Sequence, residues 1–367
     1  MRYRYLIAAL GCISIVSLKM VYAEPLGLPP VPVPENNPQT VEKIALGDKL
    51  FHDKRFSATG EVACSTCHDD DKTFTDSPLK VSEGIHKLKG TRNAPTVVNA
   101  AYMKTQFWDG REPDLEGQAG GPPVNPVEMG LKDYEPILKI VRTDAEYQNM
   151  FKQAFGKAGE DVTMTEVKQA IASFERTVIS GNSPFDRFRY GDDKSAMSES
   201  ALRGLTVFVG QGRCVSCHTI NQTHALFMDN KFHNLGIGFD RIKNDVYEMT
   251  KVFSQAKAKG TDVDVAVLTN KNTSDLGRFV VTDDFQNLGS FKTPTLRNVE
   301  KTAPYMHDGS LETLEDVVDF YNNGGRVKET DPFNDFQSGG IRPLNLSDEQ
   351  KSDLVEFMKA LTSPEYQ

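Results

Sequence analysis

Apolar side chains recur at helical spacing in four stretches of the chain. Val41, Ile44, Ala45 and Leu50 follow Thr40, a residue suited to an N-cap, and predict a first helix with those four side chains inward. Thr163-x-x-Glu166 forms a capping box, and Val167, Ala170, Ile171, Phe174 and Val178 then repeat along one face until Gly181-Asn182 supplies a stop signal. A third helix is predicted from about Ser198 to Val209. A last one opens with Ser347-x-x-Gln350 and buries Leu354, Val355, Met358 and Leu361. Residues 24–38 are proline-rich and predict an extended arm with no core of its own. Residues 240–290 are polar with weak periodicity, and predict a long excursion between core elements that includes short strands. The fold class that follows is all-α, with long loops.

The first residues are read apart from the fold. Arg2 and Arg4 precede an apolar run from Leu6 to Leu18, and Val21-Tyr22-Ala23 resembles a small-residue cleavage site, so residues 1–23 are expected to be a signal peptide cut after Ala23. The rivals are an uncleaved anchor and a lipoprotein site at Leu10-Gly11-Cys12. The run is well short of the ~20 residues that span a bilayer, Lys19 closes it, and the stretch before Cys12 is very short. No other segment reads as a stable membrane span. Removing 1–23 takes away three positive charges and moves the formal charge from -9 to -12. Such an acidic chain is a poor partner for nucleic acid or anionic membrane and a better one for a basic redox protein. The expected location is the periplasm.

Four cysteines remain after cleavage, and all of them lie in Cys-x-x-Cys pairs. Free thiols are poorly tolerated in an oxidising compartment, so something must hold them. The full motifs are Cys64-Ser65-Thr66-Cys67-His68 and Cys214-Val215-Ser216-Cys217-His218. Two thiols three apart on a helical turn can reach both vinyl groups of one porphyrin edge, with the adjacent imidazole under the iron. A four-thiolate zinc site leaves the histidine after each pair unexplained. A redox dithiol would normally occur once, in an α/β pattern that is not seen here. Two covalently bound c-type haems are therefore expected, with His68 and His218 as iron ligands. There is no repeat of solenoid period. A helix followed by Cys-x-x-Cys-His does occur once in each half, which predicts two related haem domains, residues 24–190 and 191–367.

Several further segments carry a resemblance. They are Lys49-Leu-Phe-His-Asp53, Arg92-Asn93-Ala94-Pro95-Thr96, Gln106-Phe-Trp-Asp-Gly-Arg111, Asn125-Pro-Val-Glu-Met129, Phe291-Lys-Thr-Pro-Thr-Leu-Arg-Asn298 and Ala303-Pro-Tyr-Met-His-Asp-Gly309. With the two haem motifs in order, the chain resembles the bacterial dihaem cytochrome c peroxidase family, which includes the MauG-type maturase. The resemblance covers most of the chain after residue 23. It implies two cytochrome c-like domains with one calcium ion between them, a peroxidatic N-terminal haem and an electron-relaying C-terminal one.

The resemblance also assigns residues. Trp108, the only tryptophan, matches the one between the haems; a buried aromatic packing two domains together is the plainer reading, and both can hold. Glu128 matches the acid over the peroxidatic iron, where a carboxylate can move a proton between peroxide oxygens. Taken alone it would be a surface or capping acid. Gln118 and Pro122 match residues of the same pocket. Asn93, Thr302 and Pro304 match calcium ligands, an all-oxygen set that suits that ion. His233 and His307 are candidates to bond haem propionates, while His52 and His224 carry no usable signal.

One position divides the family. Ordinary peroxidases place a methionine fourteen residues after the histidine of the Pro-Tyr-x-His-Asp-Gly segment. Here that residue is Tyr321, at helical spacing with Leu314, Val317 and Val318. It is either the sixth ligand of the second haem or a core tyrosine. Methionine raises haem potential, whereas an oxygen ligand favours higher oxidation states of iron, as the maturase uses to share two oxidising equivalents between its haems. Two departures limit that analogy. Residues 207–213 hold no counterpart of the maturase's surface tryptophan, Gln211 standing near that place. His86 is also one position off the removable distal histidine of ordinary peroxidases; it either caps the resting first haem or is an exposed loop histidine, and the loop is the favoured reading.

The expected function is reduction of hydrogen peroxide at the N-terminal haem, with electrons from a small cytochrome or a protein donor. The alternatives are a MauG-like oxidation of a protein substrate during cofactor maturation, and a dihaem electron carrier without catalysis. The set Gln118, Pro122 and Glu128 weighs against the carrier, which would have both irons fully ligated.

Overall fold

The computed structural model describes residues 25–328, 330–331 and 334–367. The expected signal segment and its cleavage after Ala23 lie outside the described residues. The described chain is helix-rich, with two strands of three residues, as the periodicity implied. No helix among the described residues is long and apolar enough to cross a membrane.

Helix Val41–Phe51 starts where expected, the Thr40 side chain accepting the Lys43 N–H. Its buried face differs from the expected one. Lys43, Leu46, Gly47, Leu50 and Phe51 point inward, while Val41 and Ala45 are exposed. The cause is a close helix crossing: a Cβ on Gly47 would stand 1.9 Å from the Ala170 carbonyl oxygen. The bare backbone at Gly47 sets which side faces helix Met164–Glu175. Lys43 lies along the apolar surface, and its ammonium reaches the Asn37 side chain (3.0 Å) and the Pro38 carbonyl (3.1 Å).

Helix Met164–Glu175 carries the expected capping box, the Thr163 N–H donating to Glu166 at 2.9 Å. It stops at Glu175 rather than at Gly181. Leaving the helix early lets Ser180 exchange hydrogen bonds with Asn99, Ser180 N–H to Asn99 Oδ1 at 3.0 Å and Asn99 Nδ2 to the Ser180 carbonyl at 2.9 Å. In the second half, helix Glu199–Val209 is capped by Ser198 and helix Asp348–Lys359 by Ser347 with its Gln350 box. Leu354, Val355, Met358 and Leu361 are buried as expected.

The two halves repeat one another beyond the helix and Cys-x-x-Cys-His pattern. Gly204 meets the Asp353 carbonyl as Gly47 meets that of Ala170, again with 1.9 Å for a would-be Cβ. A constant offset of 199 residues relates the segment from Thr96 to Pro122 with that from Thr295 to Tyr321. Within it Asn99 and Asn298 both adopt left-handed backbone, as do Phe107 and Met306, and Gly110 and Gly309. The isolated bridge Gln106–Glu112 recurs as Tyr305–Leu311.

The excursion is not a set of loops and strands. It folds as helices Val246–Ala258, Val263–Thr269 and Lys271–Asp275 around a cluster that includes Ile242, Val246, Phe253, Val267, Leu276 and Val280. Strands occur only at its margins, where Phe232–Asn234 pairs antiparallel with Ser290–Lys292 and His233 stands opposite Phe291. Short helices with many outward Lys, Asp and Thr leave too few apolar repeats to register as periodicity.

The proline-rich arm has no core of its own but fastens the molecule. Its Leu26 carbonyl accepts the Asn182 N–H at 2.8 Å, and its Gly27 carbonyl accepts the Ala225 N–H at 3.0 Å and Arg297 Nη2 at 2.7 Å. Arg297 also pairs with both carboxylate oxygens of Asp186 (2.8 and 2.9 Å), the two side chains being fully buried.

Candidate functional site

Each Cys-x-x-Cys-His segment forms a short turn that presents its histidine in the same way. Cys64–Cys67 is a single helical turn, with the Thr66 hydroxyl accepting the Ala63 N–H at 2.9 Å. The His68 N–H donates to the Cys64 carbonyl at 3.0 Å, and the His218 N–H to that of Cys214 at 2.9 Å. The imidazoles then turn Nδ1 toward backbone carbonyls, His68 to Phe74 (3.2 Å) and His218 to Phe227 (2.8 Å). A ring held this way keeps its proton on Nδ1 and leaves Nε2 for a metal. Burial lowers the pKa of both and so favours the neutral, ligating form.

The thiols fit tethering rather than redox exchange. All four are free of disulfides. Burial pushes Cys64, Cys67 and Cys214 up to about 12, the opposite of an activated dithiol. Among the described residues the only metal-ligand group close enough to hold an ion is Cys217, Asp229 and His233, so the two cysteine pairs do not assemble into a four-thiolate site.

The second motif opens onto a cavity of about 520 Å³ whose wall includes Cys214, Cys217, His218 and Tyr321. Helix Leu314–Asn322 supplies Tyr321, with Leu314 and Val318 buried in the core behind it. The phenol has no hydrogen-bond partner among the described residues, and burial raises its pKa. Two thiols, an imidazole with a free Nε2 and a phenol on one cavity wall fit a c-type haem. His233 and His307 line the same cavity. His233 pairs with Asp229 at 2.9 Å, while His307 stacks on Phe291 (3.6 Å between centroids) and turns Nε2 to Asp275 at 3.3 Å.

The 199-residue offset carries Tyr321 onto Pro122. Pro122 sits in the short helix Gly121–Val124 and offers no side-chain donor atom. Near it, Gln118 ends helix Leu115–Gln118, and the turn after Asn125 brings in Glu128. Glu128 is half-buried as a residue, yet its Oε2 is buried without a hydrogen-bond partner among the described residues. Burial first, and then the nearby Asp264 carboxylate, raise its pKa to about 8, with Arg111 opposing. The Cys64 and Cys67 thiols both feel the Glu128 charge, which puts this acid beside the first cysteine pair.

Trp108 donates Nε1–H to the Asn93 carbonyl at 2.9 Å and lines the second cavity. The same short stretch reaches the first site, because the Pro95 backbone lies near the His68 imidazole. Asn93, Thr302 and Pro304 all line the cavity. Asn93 Nδ2 bonds the Leu79 and Lys80 carbonyls, both at 3.3 Å, which leaves Oδ1 uncommitted. The Thr302 and Pro304 carbonyls likewise accept no hydrogen bond from a described residue. Uncommitted oxygens of this kind are the donors a calcium ion takes. His86 stands exposed on the Ile85–Lys87 turn, a loop residue as the sequence suggested.

Sequence reasoning missed a buried charge network around the first site. Asp109 is fully buried between Arg92 (2.6 Å) and Arg111 (3.1 Å), and is held down to about 2 by the two guanidiniums against the cost of burial. Arg111 continues to Asp264, and Asp264 to Asn125. Lys292 is buried beside Trp108, its N–H on the Trp108 carbonyl at 2.7 Å and its ammonium on the Thr105 carbonyl at 2.8 Å; burial lowers its pKa to about 7. The motifs Phe-Trp-Asp-Gly-Arg and Phe-Lys-Thr-Pro-Thr held most of these residues in plain view. Asp264 had no such signal, since it lies in the excursion.

Comparison with known proteins agrees with this geometry. A family profile described as di-haem cytochrome c peroxidase matches residues 41–194. The chain is 38% identical to the cytochrome-c peroxidase IdrP1 of Denitromonas iodatirespirans, over 93% of this chain and 87% of that protein. It is 33% identical to the methylamine utilization protein MauG of Methylorubrum extorquens, over 90% of this chain and 81% of that one. A crystal structure of a MauG-like protein associated with microbial copper homeostasis superimposes with a TM-score of 0.76 at 31% identity, covering 94% of this chain and 98% of the other.

Proposed function

The chain belongs to the di-haem cytochrome c peroxidase family, and from that premise we propose that it reduces hydrogen peroxide at a haem held by Cys64, Cys67 and His68. Cys214, Cys217, His218 and Tyr321 would hold a second haem, which would supply the path for electrons from a small cytochrome or a protein donor. The observation that carries this reading is the pairing of Pro122 with Tyr321 in the repeat. The first site keeps its histidine but has a proline where the second has a phenol, so it would offer a bound haem no second side-chain donor and would leave room for an oxidant. Residues 24–190 and 191–367 are the corresponding domains, and export with cleavage after Ala23 puts the protein in the periplasm.

When bound, the haems supply iron centres that exchange the two electrons of peroxide reduction. Overall, one peroxide, two electrons and two protons give two waters. Glu128 serves the proton side. A carboxyl group with a pKa near 8 is mostly protonated at neutral pH. It can give a proton from Oε2 to the departing oxygen and recover one from solvent. Gln118 and Pro122 border the space the peroxide enters. Trp108, tied to the Asn93 carbonyl and seated on the second cavity, couples the two sites. Asn93, Thr302 and Pro304 would hold a calcium ion, which would stiffen this junction.

Stoichiometric peroxide added to the fully oxidised two-haem protein, with both haem bands followed, tests the proposal. A response in the oxidised protein supports it and favours the MauG-like variant, for which Tyr321 speaks. A response only after half-reduction supports the ordinary peroxidase. No response in either state would leave the electron-carrier reading.

A further inference from the structure

The excursion from the second half closes over the first site. Val127, next to Glu128, packs against the excursion's apolar cluster. The Thr91 hydroxyl donates to the Val267 carbonyl at 2.6 Å, and Arg92 donates to the Ser274 hydroxyl and carbonyl, both at 3.0 Å. At the centre of this contact stands Asp264 of helix Val263–Thr269. One carboxylate oxygen takes both Nε and Nη2 of Arg111, at 2.8 and 2.5 Å, and the other takes Asn125 Nδ2 at 2.6 Å. Asn125 in turn orders the turn that carries Glu128, its carbonyl accepting the Glu128 N–H at 3.2 Å and its Oδ1 the Val127 N–H at 3.1 Å.

We propose that Asp264 is a positioning residue of the peroxide site, which fixes Arg111 and the Asn125 turn and governs whether Glu128 holds its proton. The inference rests on the reading of Glu128 as the proton-handling acid. Without Asp264, Arg111 would share the single Asp109 carboxylate with Arg92, leaving an excess positive charge near Glu128 able to ionise it. Asp264 neutralises it and adds a negative charge of its own on the same side, so both effects keep the carboxyl protonated. A residue from the second half thereby sets the acidity of a group in the first.

The other charged groups near Glu128 are few. The 83–89 turn, whose Ile85 N–H bonds the Glu128 carbonyl at 2.8 Å, carries Glu83 paired with Lys89, and His86 and Lys87 exposed. The Glu128 charge also acts on the thiols of Cys64 and Cys67.

The test is an infrared pH titration of the two-haem protein, with the Glu128 carboxylic C=O band identified by its loss in Glu128→Gln. In Asp264→Asn, which removes the charge and keeps an oxygen for Arg111, the midpoint is expected to fall by about one pH unit or more. Asp264→Glu restores the original midpoint. Asp264→Ala, feasible because the side chain is 21% exposed, gives the same shift if the asparagine variant folds poorly. An unmoved midpoint in the neutral variants, or no protonated Glu128 band at neutral pH, overturns the proposal. The underlying reading fails separately, if Glu128→Gln reacts with peroxide at the unaltered rate.

Discussion

Ser180 and Ser363 share a hydrogen bond at 2.6 Å, and each occupies the same place in its own half. Ser180 gives its N–H to Asn99 Oδ1, and Ser363 gives its N–H to Asn298 Oδ1 at 2.8 Å. The Asn99 N–H bonds the Val178 carbonyl as the Asn298 N–H bonds that of Leu361. The two halves thus meet back to back at their equivalent serines. Two copies of one haem-binding plan are joined there, and they differ where Pro122 replaces Tyr321.

That difference can be tested directly. Pro122→Tyr, which writes the second half's residue into the first, should give the first haem a sixth ligand. Optical and electron paramagnetic resonance spectra should show a low-spin first haem, and peroxide reactivity should be lost with haem content unchanged. An unaltered first-haem spectrum would detach position 122 from the iron.

Tyr321→Phe should keep both haems, because Cys214, Cys217 and His218 remain, while changing the ligand-field bands of the second haem. Its peroxide-oxidised state should also decay faster. If spectrum and lifetime both stay as they were, Tyr321 is a core residue.

Glu128→Gln should lower the rate of reaction with peroxide by roughly 10²–10⁴-fold. In the unmodified protein the acid form is the useful one, so the rate should hold below the Glu128 pKa of about 8 and decline as pH rises through it. Stopped-flow rates across pH 6–10 (roughly the span set by that midpoint) check both points.

Glu175 offers a stability counterpart. It is buried, its Oε2 lacks a partner among the described residues, and burial raises its pKa to about 8. A carboxyl whose folded pKa exceeds its unfolded one costs stability progressively as pH climbs from the unfolded value to the folded one. Glu175→Gln should therefore raise the melting temperature more at pH 9 than at about pH 3.5, each about one unit beyond an end of that range. Equal shifts at both pH values would contradict this.

Arg297 and Asp186 are both completely buried, and Arg297 also clamps the arm at Gly27. Removing one partner leaves an unpaired charge in the interior. Asp186→Ala should lose about 3–5 kcal/mol in denaturant unfolding. A loss below about 1 kcal/mol, the size of an exposed pair, would show that the interior relaxes around the guanidinium.

The chain's own order of residues determined the helices, their caps and the haem-attachment turns. These depend on neighbours three or four apart, and Thr163 with Glu166 or Cys64 with His68 need nothing else to be recognised. The repeat was also written there, as Thr96-x-x-Asn99 and Thr295-x-x-Asn298, although pairs so short stand out only when their backbones coincide. Tertiary structure alone decided the rest. Gly47 turned the first helix by letting a carbonyl approach, and Val41 went to solvent in consequence. Asp264 reached Arg111 across 153 positions, and only then did Glu128 acquire its surroundings. Proton affinity is a property of burial and of charges near in space, and distance along the chain carries no information about either.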